Sequence, residues 1–560
     1  MLLAVTTAVT ESDPPTTGGT AGPTGRLGAW AGPAIIGTTV VAAFVAGSNL
    51  WFFSDDWNIF AGWPSGRLLE PFNSHLSLVP IGVYQALFHT FGVESYVPFR
   101  VVGLVAYAVL GWVTWRFAHE RLGTIGAALA TAAVLWNSGG ITNVMFPFLM
   151  NFSLPIAALA AIWWHLDRHT VRHDVTASLW LMLALATSGL GLMTAVAVGV
   201  ELVWVAVSDR RVDWRRWLTL APGPALWLVW YVAYGVDSPA SGGLRPVVSY
   251  AVRMVWGGFG SLVGGNRWLG LVVAAAMALL IVAALVRRTF DGRIAAALAA
   301  PLAFAVLTAI SRIGVVPAIP PDELRYQWTI GAFFVFAFVL LLAATADAPA
   351  AWRVSAVRPV IALTAIAVVA NAVILVGDVG DWNDGVETAV PGVRANLWVA
   401  EVAERSGTLE RDRALPVSYV RVTAGEYVDA VMALGSPLAG FGAAEFGGSA
   451  DSRRAADEAF VADFDVAMTN GSNGPDDCER TFTGPGEVSV AAGTIAHVAA
   501  RSASVDVGFA VFGSGVPLGT VYPDDVSAGV VATPDLPSGS PVSSYRLTLS
   551  AAAIVAVCDT

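Results

Sequence analysis

The stretch WFFSDDWNIF (residues 51–60) follows the first long apolar segment of the chain and carries two adjacent carboxylates, Asp55 and Asp56. Charged residues are rare at the end of such a segment unless they serve a pathway, a site or an interface. Polar residues also collect at helix ends because they meet water there. Position alone leaves both interpretations open, so the rest of the chain has to decide between them.

Composition indicates a membrane protein with a separate soluble domain. The 560 residues are 56% hydrophobic and only 13% charged, whereas soluble proteins carry roughly 25% charge. Residues 1–377 hold 21 Arg against 17 acidic residues, and residues 378–560 hold 10 Arg against 25. All 31 basic residues are Arg, which excludes Schiff-base lysine and P-loop lysine chemistry.

Apolar runs of about 20 residues can cross a bilayer. We predict eleven crossings, near residues 29–53, 97–117, 124–138, 144–164, 176–190, 192–207, 217–235, 268–286, 294–311, 327–346 and 359–377. The stretch 176–207 is either two short spans hinged at SGLGLM (residues 188–193) or one long helix.

Arginines predict the orientation, because cytoplasmic loops are enriched in basic residues. The clusters fall in alternate loops: Arg116 and Arg121; Arg168 and Arg172; Arg210, Arg211, Arg215 and Arg216; Arg287, Arg288 and Arg293; Arg353 and Arg358. This alternation favours two spans in 176–207. It predicts a multi-pass plasma-membrane protein with a disordered cytoplasmic tail (1–28), a membrane domain (29–377) and outer loops 54–96, 236–267 and 312–326. Residues 76–91 and 250–259 are predicted to be interfacial helices.

The acidic segment 378–560 is predicted to be an outer domain, mixed at first and then β-rich. Short apolar runs separated by turns, VSVAA, IAHVAARS, VDVGFAVFG, GVVAT, YRLTLS and AAIVAVC, favour a β-sandwich or jelly roll. Cys478 and Cys558 are the two cysteines of the chain, which suggests a disulfide in an oxidising compartment. Free buried thiols remain the alternative.

Polar side chains are expected to gather on the outer side. They are Arg67, Glu70, Asn73, His75, Arg100, Arg312, Asp322, Glu323, Arg325 and Tyr326. Arginines are usually enriched in cytoplasmic loops, so arginines on the outer side need an explanation. Binding of an anionic head group would explain them, because a guanidinium binds phosphate through a planar fork of donors. The structural alternative is an ion pair of Arg325 with Asp322 or Glu323.

Three motifs carry a family resemblance. SDDW (54–57), NSH (73–75) and ELRY (323–326) resemble, in their order and predicted sidedness, the GT-C superfamily of membrane glycosyltransferases. Protein O-mannosyltransferases, lipid A aminoarabinose transferases and mycobacterial arabinosyltransferases belong to it. The resemblance covers the membrane part, and a β-rich domain after the last span is similar to the arabinosyltransferases.

The resemblance implies an inverting glycosyltransferase acting outside the membrane. The donor would be a polyprenyl-phosphate-linked sugar, and the acceptor a hydroxyl of a cell-envelope glycan, lipid or protein; no nucleic acid is expected. Asp55 would be the general base. Asp56 would be a second candidate base, or would orient the acceptor or a divalent cation; no cofactor is certain.

The remaining site residues follow from the same resemblance. Arg325, with Arg312 and His75, would neutralise the departing phosphate, to which Tyr326 would donate a hydrogen bond, and Glu323 and Asn73 would orient the substrate. Aromatic side chains would line the rim of a groove for the isoprenoid chain, or would form an ordinary interfacial belt: Trp63, Phe72, Tyr84, Phe88 and Trp256.

Two other functions remain open. A transporter or flippase for a lipid-linked or small polar substrate would need polar or helix-breaking residues near mid-membrane, and usually an internal repeat. A protein that only displays the outer domain would need a single span. The outer clustering of polar residues favours the transferase.

Overall fold

The protein is described by a computed structural model. The structure describes residues 23–62, 67–208, 210–235, 243–313, 319–345, 350–417, 421–439, 450–472, 478–513, 515–523, 528–534 and 544–559.

Fifteen helices precede the first strand in the described ranges. The first eight are Pro23–Ala46 (α1), Asp55–Gly62 (α2), Leu78–Phe91 (α3), Val97–Leu135 (α4), Ile141–Met145 (α5), Met150–Leu166 (α6), Val171–Thr187 (α7) and Gly191–Ser208 (α8). The next seven are Trp214–Leu220 (α9), Pro222–Tyr234 (α10), Leu244–Ser261 (α11), Arg267–Val286 (α12), Gly292–Arg312 (α13), Leu324–Ala344 (α14) and Ala350–Ser406 (α15).

Seven helical segments within the described residues are long and apolar enough to cross a membrane. They are Val97–Leu135, Pro147–Leu166, Gly191–Ser208, Arg267–Val286, Gly292–Arg312, Leu324–Ala344 and Ile361–Ser406. The chain is therefore a multi-pass membrane protein. The other predicted crossings lie on α1, whose apolar segment Trp30–Ala46 is shorter, on α7 and on the pair α9–α10, so the count of eleven stays a prediction.

Helix α4 contains two predicted crossings, because it folds back on itself. Gly123 adopts φ 71° inside the element, a conformation that glycine allows without a Cβ clash. The Tyr107 hydroxyl donates to the Leu135 carbonyl at 2.8 Å, so the arms on either side of Gly123 run antiparallel. This arrangement matches the predicted separation of residues 97–117 from residues 124–138.

The hinge expected at residues 188–193 is also present. Helix α7 ends at Thr187 and α8 begins at Gly191. The Ser188 hydroxyl between them donates to the Asn151 carbonyl at 2.6 Å, which anchors the turn to α6. The stretch 176–207 is therefore two helices.

Both segments expected to be interfacial are helical. Helix α3 matches the prediction for residues 76–91, and α11 is longer than the predicted 250–259. Gly258 lies buried inside α11, where a Cβ would fall 2.2 Å from Ile330 of α14. This glycine therefore permits close packing of α11 on α14 and does not loosen the end of the helix.

Two helices run across predicted domain boundaries. Helix α1 begins at Pro23, inside the predicted tail 1–28, whereas residues 1–22 lie outside the described ranges. Helix α15 runs without interruption from Ala350 to Ser406 and passes through the boundary expected at residue 378. Its 57 residues span roughly 85 Å at 1.5 Å per residue, more than the roughly 30 Å of a bilayer core. One continuous helix thus joins the membrane part to the C-terminal part.

The C-terminal part is β-rich, as predicted. It contains Ala424–Leu434 (α16), Ala450–Asp463 (α17) and the strands Ala414–Leu415 (β1), Val422–Thr423 (β2), Met468–Gly471 (β3), Glu479–Thr483 (β4), Gly486–Ala491 (β5), Thr494–Ala500 (β6), Val505–Ala510 (β7), Val516–Val521 (β8), Ala528–Ala532 (β9), Ser544–Leu549 (β10) and Ala553–Asp559 (β11). Two antiparallel sheets have the orders β5-β10-β7-β8 and β3-β9-β6-β11-β4. Strands β3, β4 and β8 were not predicted. Their composition is rich in polar residues and glycine, which weakens the strand signal.

The predicted disulfide is present between Cys478 and Cys558, whose Cα atoms are 4.7 Å apart. Cys558 lies on β11, and Cys478 directly precedes β4, the edge strand that pairs with β11. The bond therefore fixes an edge strand to its neighbour across a sequence separation of 80 residues.

We predict that the double variant C478S/C558S destabilises the C-terminal part by about 2–5 kcal/mol, because the cross-link restricts the unfolded chain. Limited proteolysis of the detergent-purified full chain should cut the variant within residues 478–559 at a lower temperature than the parent. Equal protease resistance of the two proteins would contradict this role of the disulfide.

Candidate active site

The carboxylate pair opens helix α2. Asp55 and Asp56 occupy its first turn, where the helix dipole favours negative charge. Ser54, directly before them, adopts φ 47°, a left-handed conformation that turns the chain sharply into the helix. Adjacent helical residues project about 100° apart, so the two carboxylates face different surroundings, as the sequence led us to expect.

Asp56 is completely buried and held by three donors. Its Oδ1 accepts from the Tyr84 hydroxyl at 2.7 Å, and its Oδ2 accepts from the Tyr96 hydroxyl at 2.6 Å and the Phe53 amide at 2.9 Å. Burial raises the pKa of Asp56 to about 7, although the hydrogen bonds from both tyrosines oppose the rise. Both oxygens are occupied by protein donors. This arrangement anchors α2, and the expectation that Asp56 acts as a base, an acceptor-orienting group or a metal ligand stays a prediction.

A tightly packed aromatic cluster surrounds this anchor. The Phe52 ring lies 4.9 Å from Tyr96 and 5.2 Å from Phe99, measured between centroids, in edge contacts. Tyr84 and Phe88 of α3 are buried in the same cluster, and Phe72 is buried beside Phe148. Those three aromatics are core residues and neither line a groove rim nor form an interfacial belt. Trp256 is exposed, and Trp63 lies outside the described residues.

Asp55 is only partly buried and faces several polar groups. Asn58, one turn further along α2, donates to its Oδ1 at 3.4 Å, and the Asn73 side chain is a further hydrogen-bond partner. Burial raises the pKa of Asp55, while the positive charge of Arg325, and less strongly that of Arg312, opposes the rise. The carboxylate of Asp55, at the start of α2, and the guanidinium of Arg325, at the start of α14, therefore interact electrostatically.

The NSH motif forms a tight turn beside Asp55. Phe72 and His75 exchange two backbone hydrogen bonds of 2.9 Å, and Asn73 and Ser74 between them both have positive φ. Such a turn suits asparagine, which tolerates the left-handed region. Burial and the nearby charge of Arg312 lower the pKa of His75 to about 4. A neutral imidazole can still offer an N–H to a phosphate, and the expected role of His75 at the phosphate stays a prediction.

The two outer arginines are weakly paired. The Arg325 Nε lies 3.7 Å from Glu323 Oε1, so the ion pair expected as the structural alternative exists with Glu323 in a loose form. Asp322 pairs instead with Arg267 at 2.7 Å. Within the described part of the chain Arg312, at the end of α13, makes no ion pair. Positive charge therefore remains available next to Asp55.

Tyr326 closes the inner side of this region. It is buried on the first turn of α14, with its ring stacked on Phe152 and edge-on to Phe304. Tyr250 of α11, whose hydroxyl donates to the Ile319 carbonyl at 2.9 Å, lies within electrostatic range of Arg312, Arg325 and Tyr326. Helices α11, α13 and α14 thus contribute charged and polar groups to one electrostatic environment, which Asp55 of α2 shares.

The C-terminal part lies directly behind α2. The Tyr427 ring of α16 contacts Trp57 and Phe60, with centroid distances of 6.1 Å and 5.9 Å. The Tyr427 hydroxyl donates to Glu401 of α15 at 2.7 Å. The helix that carries Asp55 is therefore packed between the membrane helices and the C-terminal part.

Sequence reasoning missed several of these residues. Asn58 was detectable, because residues three apart on a helix are neighbours. Tyr250 lay in a segment identified only as interfacial. Tyr96 gave no local signal, since it meets Asp56 from 40 positions away, and Tyr427 belongs to a part of the chain predicted to be separate.

We predict that Tyr96→Phe destabilises the protein by about 1–3 kcal/mol, because a buried carboxylate loses a donor while the ring stays in place. The melting temperature of the detergent-purified protein reports the loss. The matched control is Tyr522→Phe, which alters a largely exposed tyrosine of the C-terminal part. Equal melting temperatures for the two variants would reject the anchoring role of Asp56.

No protein-family model matches the chain, and a search of curated proteins finds no similar sequence. A comparison with solved structures finds similarity to the crystal structure of ArnT from Cupriavidus metallidurans bound to undecaprenyl phosphate. The TM-score is 0.41 and the sequence identity 14%, and the match covers 72% of this chain and 85% of that chain.

Proposed function

We propose that the protein is a membrane glycosyltransferase. It transfers a sugar from a polyprenyl-phosphate-linked donor to a hydroxyl of a glycan, lipid or protein acceptor on the outer face of the membrane. The observation that carries the proposal is the carboxylate of Asp55 within electrostatic range of two arginines, Arg325, whose ion pair with Glu323 is loose, and Arg312. A base and a phosphate-binding site must lie close together in such a reaction.

Asp55 is the general base of this proposal. It takes the proton of the acceptor hydroxyl while the hydroxyl oxygen forms a bond to the anomeric carbon. The bond from that carbon to the phosphate oxygen breaks with inversion, and polyprenyl phosphate leaves with the bonding electrons. Burial raises the pKa of Asp55, so its carboxylate is a stronger base than one in water.

Arg325 and Arg312 stabilise the phosphate that departs. A guanidinium offers several donors in a plane and stays charged, which suits an oxyanion in a partly buried site. Among the described residues Glu323 is the ion-pair partner of Arg325, at 3.7 Å, and a phosphate can displace so loose a contact. Neutral His75 adds an N–H donor without charge. Tyr326 reaches the phosphate only if the donor enters deeply, because its ring is buried.

Asn73 and Glu323 retain orienting roles in the proposal. Asn73 hydrogen-bonds to Asp55 and so selects the direction in which the carboxylate presents its free oxygen. Glu323 holds the Arg325 side chain on the first turn of α14. The proposed donor belongs to the lipid-phosphate class that ArnT holds in its crystal structure.

The outer location is supported by two independent features. The arginine-rich loops alternate along the chain and leave Asp55 and Arg325 on the opposite side. The disulfide between Cys478 and Cys558 suits an oxidising compartment. A liposome transport assay distinguishes the transferase from the transporter alternative. A transferase yields a glycosylated product, and it moves no solute across the membrane without making that product.

We predict that Asp55→Asn lowers the transfer rate by about 10²–10⁴-fold, the contribution typical of a general base, with little change in melting temperature. The assay measures sugar release from a panel of undecaprenyl-phosphate-linked monosaccharides by the protein in nanodiscs. Asp384→Asn, an exposed carboxylate on α15, is the matched control. Full activity of Asp55→Asn would reject Asp55 as the base.

We predict a specific pH dependence. The base must be ionised, so the rate falls as the pH drops through the raised pKa of Asp55. Arg325→Gln removes a charge that lowers this pKa, so the acid limb of the kcat/KM profile moves to higher pH, and the donor KM rises. Arg405→Gln, an exposed arginine remote from Asp55, should leave the limb in place. An unshifted limb in Arg325→Gln would contradict the coupling of Arg325 to Asp55.

A further inference from the structure

Helix α11 exposes an apolar stripe that packs on nothing in the described part of the chain. Its buried face, which includes Met254 and Gly258, packs on the neighbouring helices. On the exposed side of the helix Leu244, Val248 and Val252 follow one another at four-residue spacing, with 80%, 51% and 56% of their surfaces exposed. Such a stripe suits contact with acyl chains at a membrane surface.

Arginines accompany this stripe. Arg253 of α11 and Arg267 at the start of α12 have side chains that are 58% and 54% exposed. Both approach the same carboxylate, Asp322, at 3.9 Å and 2.7 Å respectively. Arg245 lies two turns before Arg253 and makes no ion pair within the described ranges. Two guanidinium groups thus share the single carboxylate of Asp322, which leaves a net positive charge at this surface.

The two helices are held together at this point. The Trp256 indole donates to the Arg267 carbonyl at 3.0 Å, which fixes the start of α12 against α11. Arg253 and Arg267 therefore stand beside each other as a pre-formed pair. The contact of Arg253 with Asp322 is long enough for a stronger anion to replace it.

We propose that α11 and the start of α12 form a binding site for an anionic phospholipid. The phosphate lies between Arg253 and Arg267, and an acyl chain follows Leu244, Val248 and Val252. Arginine is favoured for this task because its planar donors bind phosphate in pairs. A zwitterionic lipid offers the same phosphate with a compensating cation, so the arginines favour a lipid with net negative charge.

The surface is distinct from the proposed transfer site but adjoins it. Asp322 directly precedes Glu323, which contacts Arg325, and the Asp322 carbonyl accepts from Gln327 Nε2 at 2.6 Å on the first turn of α14. A lipid that competes for Arg253 and Arg267 therefore acts on the segment that leads into α14. The lipid site itself does not depend on the transfer activity.

The test uses the absence of free thiols, since both native cysteines form the disulfide. Val252→Cys in the full-length protein is labelled with an environment-sensitive fluorophore and reconstituted in nanodiscs. Phosphatidylglycerol or phosphatidylcholine with brominated acyl chains is then added in increasing proportion. We expect half-maximal quenching at a several-fold lower fraction of phosphatidylglycerol than of phosphatidylcholine.

Two comparisons make the result decisive. R253Q/R267Q should abolish the preference and leave quenching by phosphatidylcholine intact, whereas R405Q/R411Q, which removes the same charge from the C-terminal part, should retain the preference. A label at Val282→Cys on the exposed side of α12 should be quenched equally by both lipids. Equal quenching by both lipids at residue 252, or no quenching there, would overturn the proposal. No step requires turnover, so a failure here is separate from a failure of the proposed transfer.

Discussion

Three hydrogen bonds to the buried carboxylate of Asp56 determine the geometry of the candidate site. A carboxylate removed from water is costly unless donors surround it, and hydrogen bonds to charged groups contribute about 1.5–3 kcal/mol each. The donors come from three places: the chain before α2, helix α3 and the residue before α4. Their convergence fixes the first turn of α2 against both helices. Asp55, one residue earlier on the same turn, lies within electrostatic range of Arg325.

The two neighbouring carboxylates lie in different environments, and each environment suits a different role. Asp56 sits among Phe52, Trp57 and Phe99 and anchors the helix. Asp55 meets amides and distant positive charge, which suits a group that exchanges a proton. The C-terminal part contributes through Tyr427, which supports α2 from behind. Because α15 joins the two parts as one helix, the C-terminal part belongs to the scaffold of the site.

Much of the helical architecture could be predicted from the sequence, because apolar length is a direct physical requirement of a bilayer. The hinge at residues 188–193, the disulfide and the β-rich C-terminal part were also predictable from local patterns. Contacts between distant segments were not. No local sequence motif marks Tyr84 and Tyr96 as hydrogen-bond partners of Asp56. Tyr84 was expected to line a groove rim or to belong to an interfacial belt. The continuity of α15 escaped prediction because its charge changes at residue 378 while its helical geometry does not.

The arginines make the strongest case that the outer end is a functional site. On the side predicted to be cytoplasmic, Arg293 binds both Asp167 and Glu201, and Arg121 also binds Asp167. These buried groups line a cavity of about 440 Å³, and their charges compensate one another, as buried ions must. Arg325, by contrast, has only a loose partner in Glu323, and Arg312 has no ion pair among the described residues. Uncompensated charge in a partly buried place is costly to the fold, so its retention beside Asp55 is best explained by an anionic ligand that completes it.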